Sequence, residues 1–257
     1  MVRARAPESA RARPAGPGDI AAARDTYARI AGGINGFLDR PTSWWDRISE
    51  AWPERSVYVV EGSDGALDGY LVYQQIDGEH SALGGAFGIA VDELVTTTRD
   101  SALALWGLLG SWATQVDQII VRTTPEDPLL LLLPEQQIPT LAEIRWMTRI
   151  VDPVGAVEAR GFPPGLAAEV PLELTDAQLA ANSGRYVLRV SQGRGRLEPG
   201  GRGGVTLDIG AFSSLYCGWA TTGRLAWAGR ACGGSADERA SLDAAFAGPT
   251  AWMLDEF

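Results

Sequence analysis

The chain ends in a segment whose residue types suit both burial and proton transfer. Residues 251–257 read Ala-Trp-Met-Leu-Asp-Glu-Phe. Terminal residues seldom bury enough surface to offset the entropy of ordering them, yet the four large apolar residues here gain by burial. If Phe257 is buried, its α-carboxylate joins Asp255 and Glu256 in a protected place where pKa values shift readily. The segment is therefore either part of an active site or a last strand that closes a sheet.

Other reactive residue types are scarce, and this excludes several chemistries. His80 is the only histidine and lies in a turn-like segment, so neither a histidine-rich zinc site nor a Ser-His-Asp triad is expected. The chain has no lysine and therefore no P-loop. Cys217 and Cys232 are too far apart in sequence for a redox pair, which favours a reduced, cytoplasmic setting.

Composition is typical of a folded protein with an acidic surface. The 257 residues carry a net charge of −10, and 46% of them are hydrophobic. The apolar run from Leu129 to Leu133 is far too short to span a membrane. An acidic chain repels nucleic acid and anionic membranes, so we expect cationic ligands or partners instead.

Hydrophobic periodicity predicts a mixed α/β fold. The predicted helices cover residues 19–29, 41–52, 101–116, 127–133, 152–161, 209–216 and 236–246. The predicted strands cover residues 56–60, 69–75, 88–98, 118–122, 148–151, 170–174, 184–190 and 204–209. The Pro-Pro-Gly at 163–165 marks the predicted domain boundary. We therefore expect a disordered lead-in over 1–18, a first domain over 19–162 and a second over 163–257.

Several short segments, in order along nearly the whole chain, resemble the enhanced intracellular survival (Eis) acetyltransferases. These segments are Trp44-Trp45-Asp46-Arg47, 69–73, Glu93-Leu94, 127–129, 146–152, 209–216 with Gly218, 242–246 and the closing Glu256-Phe257. Each of them alone is common, and the signal lies in their order. The resemblance implies a degenerate GNAT-like domain followed by a sterol-carrier-like domain.

In that family the resemblance implies three domains, of which an N-terminal GNAT domain binds acetyl-CoA. A C-terminal carboxylate acts there as base or proton relay, and family members acetylate amines of aminoglycosides, polyamines or lysine side chains and form hexamers. This chain matches only the second and third domains. We therefore expect it to act together with a separate or missing GNAT domain, to form a homo-oligomer and to bind no acetyl-CoA alone.

The residues at the expected pyrophosphate position agree with that departure. A GNAT site needs a glycine-rich turn whose N–H groups point at phosphate at a helix N-terminus. The equivalent segment, 95–102, has no glycine, and Asp100 places a negative charge at the helix start. Asp100 suits the helix dipole but repels a diphosphate.

The resemblance assigns Phe257 as the catalytic residue, through its carboxylate, and Asp152 and Glu256 as ligands of a cationic amine. Carboxylates attract an ammonium group and can accept its proton when burial raises their pKa. Each residue has a plainer explanation: Asp152 can cap the helix that starts at Pro153, and Glu256 can lie on a solvated face.

A second function remains open, namely a non-catalytic module that binds a small molecule or lipid or directs assembly. A sterol-carrier-like fold can hold apolar ligands. Tyr73, Trp106, Trp112 and Trp146 are candidates to line such a pocket, although aromatic residues at this density are typical of an ordinary core.

Overall fold

The structure, a computed structural model, describes residues 10–77, 87–133 and 138–255. The predicted turn at His80 and the terminal Glu256 and Phe257 lie outside these residues. Contacts divide the chain into two compact units. Unit 1 comprises Met1–Thr140 with Trp252–Phe257, and unit 2 comprises Leu141–Ala251.

A five-stranded sheet forms the centre of unit 1 within the described residues, in the order β1-β2-β3-β4-β5. Its strands are β1 (Ala12–Pro14), β2 (Ser56–Glu61), β3 (Leu67–Ile76), β4 (Phe87–Thr96) and β5 (Val116–Val121). Neighbours pair antiparallel except β4 and β5, which are parallel. A turn at Asp64-Gly65 joins β2 to β3. Gly65 takes a φ of +82°, and the Ala66 N–H donates to the Asp64 carboxylate.

Helices cover both faces of this sheet. They are α1 (Asp19–Ala31), α2 (Thr42–Ala51) and α3 (Arg99–Ser111), with 3-10 turns at Trp52–Glu54 and Pro128–Leu132. Strand alternation directs Tyr70 and Val72 to the face that packs with α1 and α2, and Leu71 and Tyr73 to the face that packs with α3. The unit therefore has an apolar layer on each side of the sheet.

Unit 2 also contains a five-stranded sheet in the described part of the chain, in the order β10-β9-β6-β7-β8. Its strands are β6 (Ala168–Thr175), β7 (Gly184–Ser191), β8 (Arg194–Pro199), β9 (Val205–Asp208) and β10 (Ala231–Gly233). Its helices are α4 (Pro153–Ala159), α5 (Ile209–Tyr216), α6 (Thr222–Trp227) and α7 (Ala236–Phe246), with a 3-10 turn at Ala180–Asn182. Leu172, Leu188, Phe212, Leu242 and Phe246 are among the fully buried residues of one apolar core.

The mixed α/β class is confirmed, but individual expectations need correction. Residues 12–14 of the predicted lead-in form β1, which pairs with β2. Residues 148–151 do not form a strand. Side chains bond their backbone instead, because Ser213 Oγ accepts from the Ile150 N–H and Asn182 Nδ2 donates to the Val151 carbonyl.

The contact division also differs from the predicted boundary at 162/163. Ile150, Val157 and Phe162 are buried in the core of unit 2, so the chain enters that unit well before the Pro-Pro-Gly. At its other end the chain leaves unit 2, and Leu254 is buried in the core of unit 1. The sequence pattern also missed α6, β8 and β10. In the described residues no helix is both long and apolar enough to cross a membrane.

Candidate functional site

The C-terminal segment packs into unit 1 without forming a strand over residues 251–255. The Trp252 N–H donates to the Asn35 carbonyl at 3.0 Å, and the Trp252 ring meets Phe37 edge to face at 4.9 Å. Leu254 is only 3% exposed. The expected burial of the apolar tail is thereby confirmed for Leu254 and in part for Trp252, while the alternative of a last strand is wrong for the described part of the tail.

Gly36 makes this close approach possible. It takes a φ of +106°, and a Cβ at this position would collide with the Trp252 backbone. Only glycine combines the positive φ with the absence of a side chain. Gly36, in the loop after α1, therefore helps to determine the path of the tail across unit 1.

Asp255 ends the described chain on a buried arginine. Arg40 is 1% exposed at its side chain and directs its Nε and Nη2 to Asp255, at 3.0 and 2.8 Å from Oδ1. The other edge of the guanidinium reaches Glu93, with Nη2 3.1 Å from Oε1 and Nη1 3.2 Å from Oε2. Its plane lies over the Tyr27 ring, 3.9 Å from the centroid. One arginine thus joins the tail to strand β4.

Two tyrosines complete this cluster. The Tyr70 hydroxyl donates to Glu93 Oε2 at 2.6 Å, and the Tyr27 hydroxyl lies 3.2 Å from Asp255 Oδ2 and 3.0 Å from the Leu38 carbonyl. Burial raises the pKa of Tyr70 and of Glu93. Burial alone would lower the pKa of Arg40, but the nearby Glu93 and Asp255 charges outweigh it and raise the pKa. Arg40 therefore stays charged between its carboxylates.

A cleft of about 240 Å³ opens beside this cluster, entirely within unit 1. Its lining includes Arg40, Trp44, Arg47, Asp92, Glu93, Arg122, Leu254 and Asp255. Arg122 Nη1 donates to the Leu254 carbonyl at 2.9 Å, and the Arg47 guanidinium lies 4.2 Å from the centre of the Trp44 ring. The described tail thus forms one wall of the cleft.

The acids of the cleft wall already have cationic partners. Glu93 and Asp255 share Arg40, and Asp92 pairs with Arg55 Nε at 2.8 Å. A cationic ligand would have to compete with these arginines. The acidic side chains of the described wall are therefore engaged by arginines.

The turn between β4 and α3 is closed by its own side chains. Thr98 Oγ1 accepts from the Ser101 N–H at 3.1 Å, and the Ser101 hydroxyl donates to the Asp68 carbonyl at 2.9 Å. The half-exposed Asp100 carboxylate lies 3.6 Å from Arg99 Nη1. A helix N-terminus occupied by a capping box and an aspartate does not fit a diphosphate.

The structure places one of the predicted site residues within its described range. Asp152 is exposed in unit 2, and its Oδ1 accepts from the Gly155 N–H at 3.0 Å as the N-cap of α4. Glu256 and Phe257 lie outside the described residues. Their roles, and a shared pocket with Asp152, remain predictions.

The aromatic residues considered for an apolar pocket are divided between the units. Tyr73 is 2% exposed and belongs to a packed cluster against which Trp106 and Trp112 lie. Trp146 is in unit 2 and is 37% exposed. The three residues of unit 1 are explained by packing between α3 and the sheet.

Sequence reasoning missed Arg40, Glu93 and Tyr70 as a functional cluster. One signal was available: Glu93 lies among apolar residues in a predicted strand, where a carboxylate needs a buried partner. The partner could not be found from the sequence, because Arg40 lies 53 residues away and looks like any loop arginine.

Comparisons with known proteins agree with this two-part organisation. Residues 36–150 match the acetyltransferase (GNAT) domain family, and residues 153–254 match the sterol carrier protein domain family. The first part of the chain is thus similar to GNAT acetyltransferase domains, and the second part is similar to sterol carrier protein domains.

Individual relatives extend over more than these two domains. An uncharacterized N-acetyltransferase of Streptomyces avermitilis is 32% identical over 211 residues, which cover 76% of this chain and 48% of the relative. A GCN5-related N-acetyltransferase from Kribbella flavida is 34% identical, with a TM-score of 0.82, and the match covers 97% of this chain and 60% of that one. The chain thus spans about half the length of the curated relative.

Two further solved structures are similar over the whole chain. A GCN5-related N-acetyltransferase from Anabaena variabilis has a TM-score of 0.86 at 28% identity, and Eis1 from Mycobacterium abscessus has 0.74 at 26%. Each match covers 100% of this chain and 66% of the other. The fold is accordingly that of these N-acetyltransferases.

Proposed function

We propose that this chain is the C-terminal part of an Eis-like, acetyl-CoA-dependent N-acetyltransferase that acts on amines. In this proposal it supplies a degenerate second GNAT domain, the sterol-carrier-like domain and the terminal carboxylate. The substrate is the amine of an aminoglycoside, a polyamine or a lysine side chain. The chain alone is inactive, and a separate GNAT domain binds acetyl-CoA.

The observation that carries this proposal is the anchoring of the tail. Trp252, Leu254 and Asp255 are held on unit 1 by a hydrogen bond, burial and a buried ion pair. Ordering a terminus costs conformational entropy. A buried ion pair adds little net stability, because the desolvation of its charges offsets their attraction. The arrangement suits a protein whose last carboxylate must start from a fixed point.

In this function the Phe257 carboxylate accepts the proton of the substrate ammonium group, and Glu256 and Asp152 attract that group. A general base of this kind contributes about 10²–10⁴-fold to a rate. The net charge of −10 supports a cationic substrate. We extend the proposal to a homo-oligomer, following the family that the sequence resembles.

The turn between β4 and α3 supports the placement of the cofactor in another domain. The Thr98–Ser101 capping box and the Asp100 charge disfavour a bound diphosphate. Calorimetry with acetyl-CoA should therefore give no measurable heat for this chain. Micromolar binding, about −8 kcal/mol, would contradict this part of the proposal.

The decisive experiment supplies the missing part. The portion of the Streptomyces avermitilis relative that this chain does not match is expressed and mixed with this chain, and acetylation of spermine, kanamycin and a lysine peptide is measured. Each component alone serves as control. We expect activity only from the mixture, and its absence from a mixture that forms a stable complex would reject the proposal.

A further inference from the structure

Arg40 lies where the body of unit 1 meets the end of the chain. Its guanidinium has one edge on Glu93 of β4 and the other on Asp255 of the tail, within hydrogen-bond distance of both. The Arg40 side chain is 1% exposed, so its guanidinium group is desolvated. Such a group is retained at a cost in desolvation, which a well-packed apolar side chain would avoid.

We propose that Arg40 is a positioning residue, which fixes the register of the C-terminal segment through Asp255 and so sets the point from which the last two residues start. Glu93 and Tyr70 orient Arg40 from the sheet side. This inference rests on the proposed function for its purpose, since the positioned group is the terminal carboxylate. It does not rest on that function for its geometry.

Charge geometry explains why an arginine suits this task. Its planar fork offers donors in fixed directions, so an Asp255 displaced by one residue could not engage Nε and Nη2 together. Leu254 would also leave its buried site after such a slip. A flexible apolar contact alone would tolerate a shifted tail, whereas the fork and the leucine together select one register.

The position of Asp255 places the end of the described tail at the cleft. Its carboxylate lines the cleft beside Trp44, Arg47 and Arg122. The Arg40–Asp255 ion pair therefore fixes where the described tail ends, beside this cleft.

Hydrogen–deuterium exchange of the full chain tests the inference without any activity assay. The readout is the tail peptide over residues 248–257, which contains the Trp252 amide bonded to Asn35. We expect Asp255→Asn and Arg40→Met to accelerate exchange of this peptide at least about tenfold, which corresponds to about 1.4 kcal/mol. Arg40→Lys should give an intermediate rate, because it keeps the charge and loses the fork.

Arg55→Met is the matched control, since it removes an ion pair with Asp92 beside the same cleft without touching the tail. Its tail peptide should exchange as in the unaltered chain. Asp255→Asn keeps the inference testable if Arg40→Met fails to fold. Unchanged tail exchange in Asp255→Asn would overturn the inference. So would acceleration in that variant spread equally over β3 and β4, because the Asp255 contact would then support the whole sheet.

A second readout tests whether the Arg40–Asp255 ion pair affects catalysis in the two-component mixture described above. Asp255→Asn should lower kcat at least about tenfold with little change in KM for the amine, because the base is misplaced while binding groups remain. Unchanged kcat in an active mixture would overturn the positioning role. A mixture that is inactive even with the unaltered chain would reject the proposed function. The exchange result would then remain as the test of whether Arg40 positions the tail.

Discussion

Arg40 of unit 1 and Arg189 of unit 2 form ion pairs in opposite environments. In unit 1, Arg40 is buried between Glu93 and Asp255 and is covered by the Tyr27 ring. In unit 2, Arg189 lies on the exposed face of the sheet, where it pairs with Glu198 at 3.0 Å and with Glu169. Below that face, the core of unit 2 is apolar and is built on Phe212, Phe246 and the inward residues of its strands.

This difference separates what folds a domain from what places a group. Exposed ion pairs contribute little, because water and salt screen them. Buried pairs have lost their hydration, so they contribute little net stability when intact but cost much when one partner is removed. Both units depend on apolar packing, and unit 1 in addition holds the described tail through a buried arginine.

The largest expected effect tests the apolar side of this comparison. Phe212 is fully buried and meets Phe246 edge to face at 5.7 Å. Phe212→Ala should lower the free energy of unfolding of unit 2 by about 3–5 kcal/mol, because it leaves a cavity. Leu179→Ala, at an exposed position, is the control. Chemical denaturation, monitored by hydrogen exchange in each unit, measures the free energy of unfolding of both variants. A loss below about 1 kcal/mol in Phe212→Ala would contradict the assignment of Phe212 to the core.

The next effect compares the two arginines directly. Arg40→Met should destabilise unit 1 by about 3 kcal/mol, since it leaves Glu93 and Asp255 without their cation. Arg189→Met removes two exposed ion pairs and should leave the free energy of unfolding unchanged within error. Equal losses in the two variants would show that burial does not distinguish the clusters.

A smaller effect comes from pH and has opposite signs in the two units. In unit 2, the Leu179 N–H, with help from Asn182 and Arg149, holds the pKa of Asp176 well below its ordinary value. A lowered pKa stabilises the fold above the unfolded value of about 4, and this contribution is lost as the pH falls below it. Asp176→Asn should therefore be less stable than the unaltered chain at pH 7, and the difference should shrink toward pH 3.

Glu93 in unit 1 provides the contrast. Burial raises its pKa, so its contribution is greatest below the ordinary value of about 4.3 and is lost as the pH rises through the raised value. Relative to the unaltered chain, Glu93→Gln should thus gain stability as the pH rises. Denaturation curves from pH 3 to pH 8 give the stability of each variant relative to the unaltered chain. Slopes of the same sign against pH would contradict the opposite pKa shifts of Asp176 and Glu93.

Local sequence signals were enough for most elements of the fold. Periodicity located α1, α2, α3, α5 and α7 because their apolar positions recur at helical spacing. In addition, α3, α5 and α7 begin with side-chain caps, such as Ser235 with Glu238 at α7. The strand predicted over residues 148–151 was wrong for a physical reason. Its β-branched residues suit a strand, but Ser213 and Asn182 satisfy its backbone groups, which no local pattern shows.

The candidate site was predictable only at its visible end. The apolar residues of the tail announced burial, and Leu254 fulfils that expectation. The receiving surface was not predictable, since Asn35, Gly36 and Arg40 lie more than 200 residues earlier in the chain and owe their roles to the third dimension. The plainer reading of Asp152, a helix N-cap, describes its contacts in the structure, while its proposed substrate role stays untested.

The last prediction has the smallest expected effect on folding and a large one on the proposed activity. Deletion of Phe257 leaves the anchors at Trp252, Leu254 and Asp255 in place, so the melting temperature should change little. A C-terminal tag should behave alike, because it converts the α-carboxylate to an amide.

Both changes remove the proposed base from the position that Arg40 and Asp255 set for it. Acetyl transfer in the two-component mixture should then fall by about 10²–10⁴-fold, the usual contribution of a general base. The comparison needs untagged, tagged and Phe257-deleted chains, with rates and melting temperatures measured together. An N-terminal tag of the same length is the control, since it leaves the terminal carboxylate free. Deletion of Phe257 leaves the terminal carboxylate on Glu256, one residue short of the position assigned to the base, so full activity of the deleted chain would contradict the proposed role of Phe257.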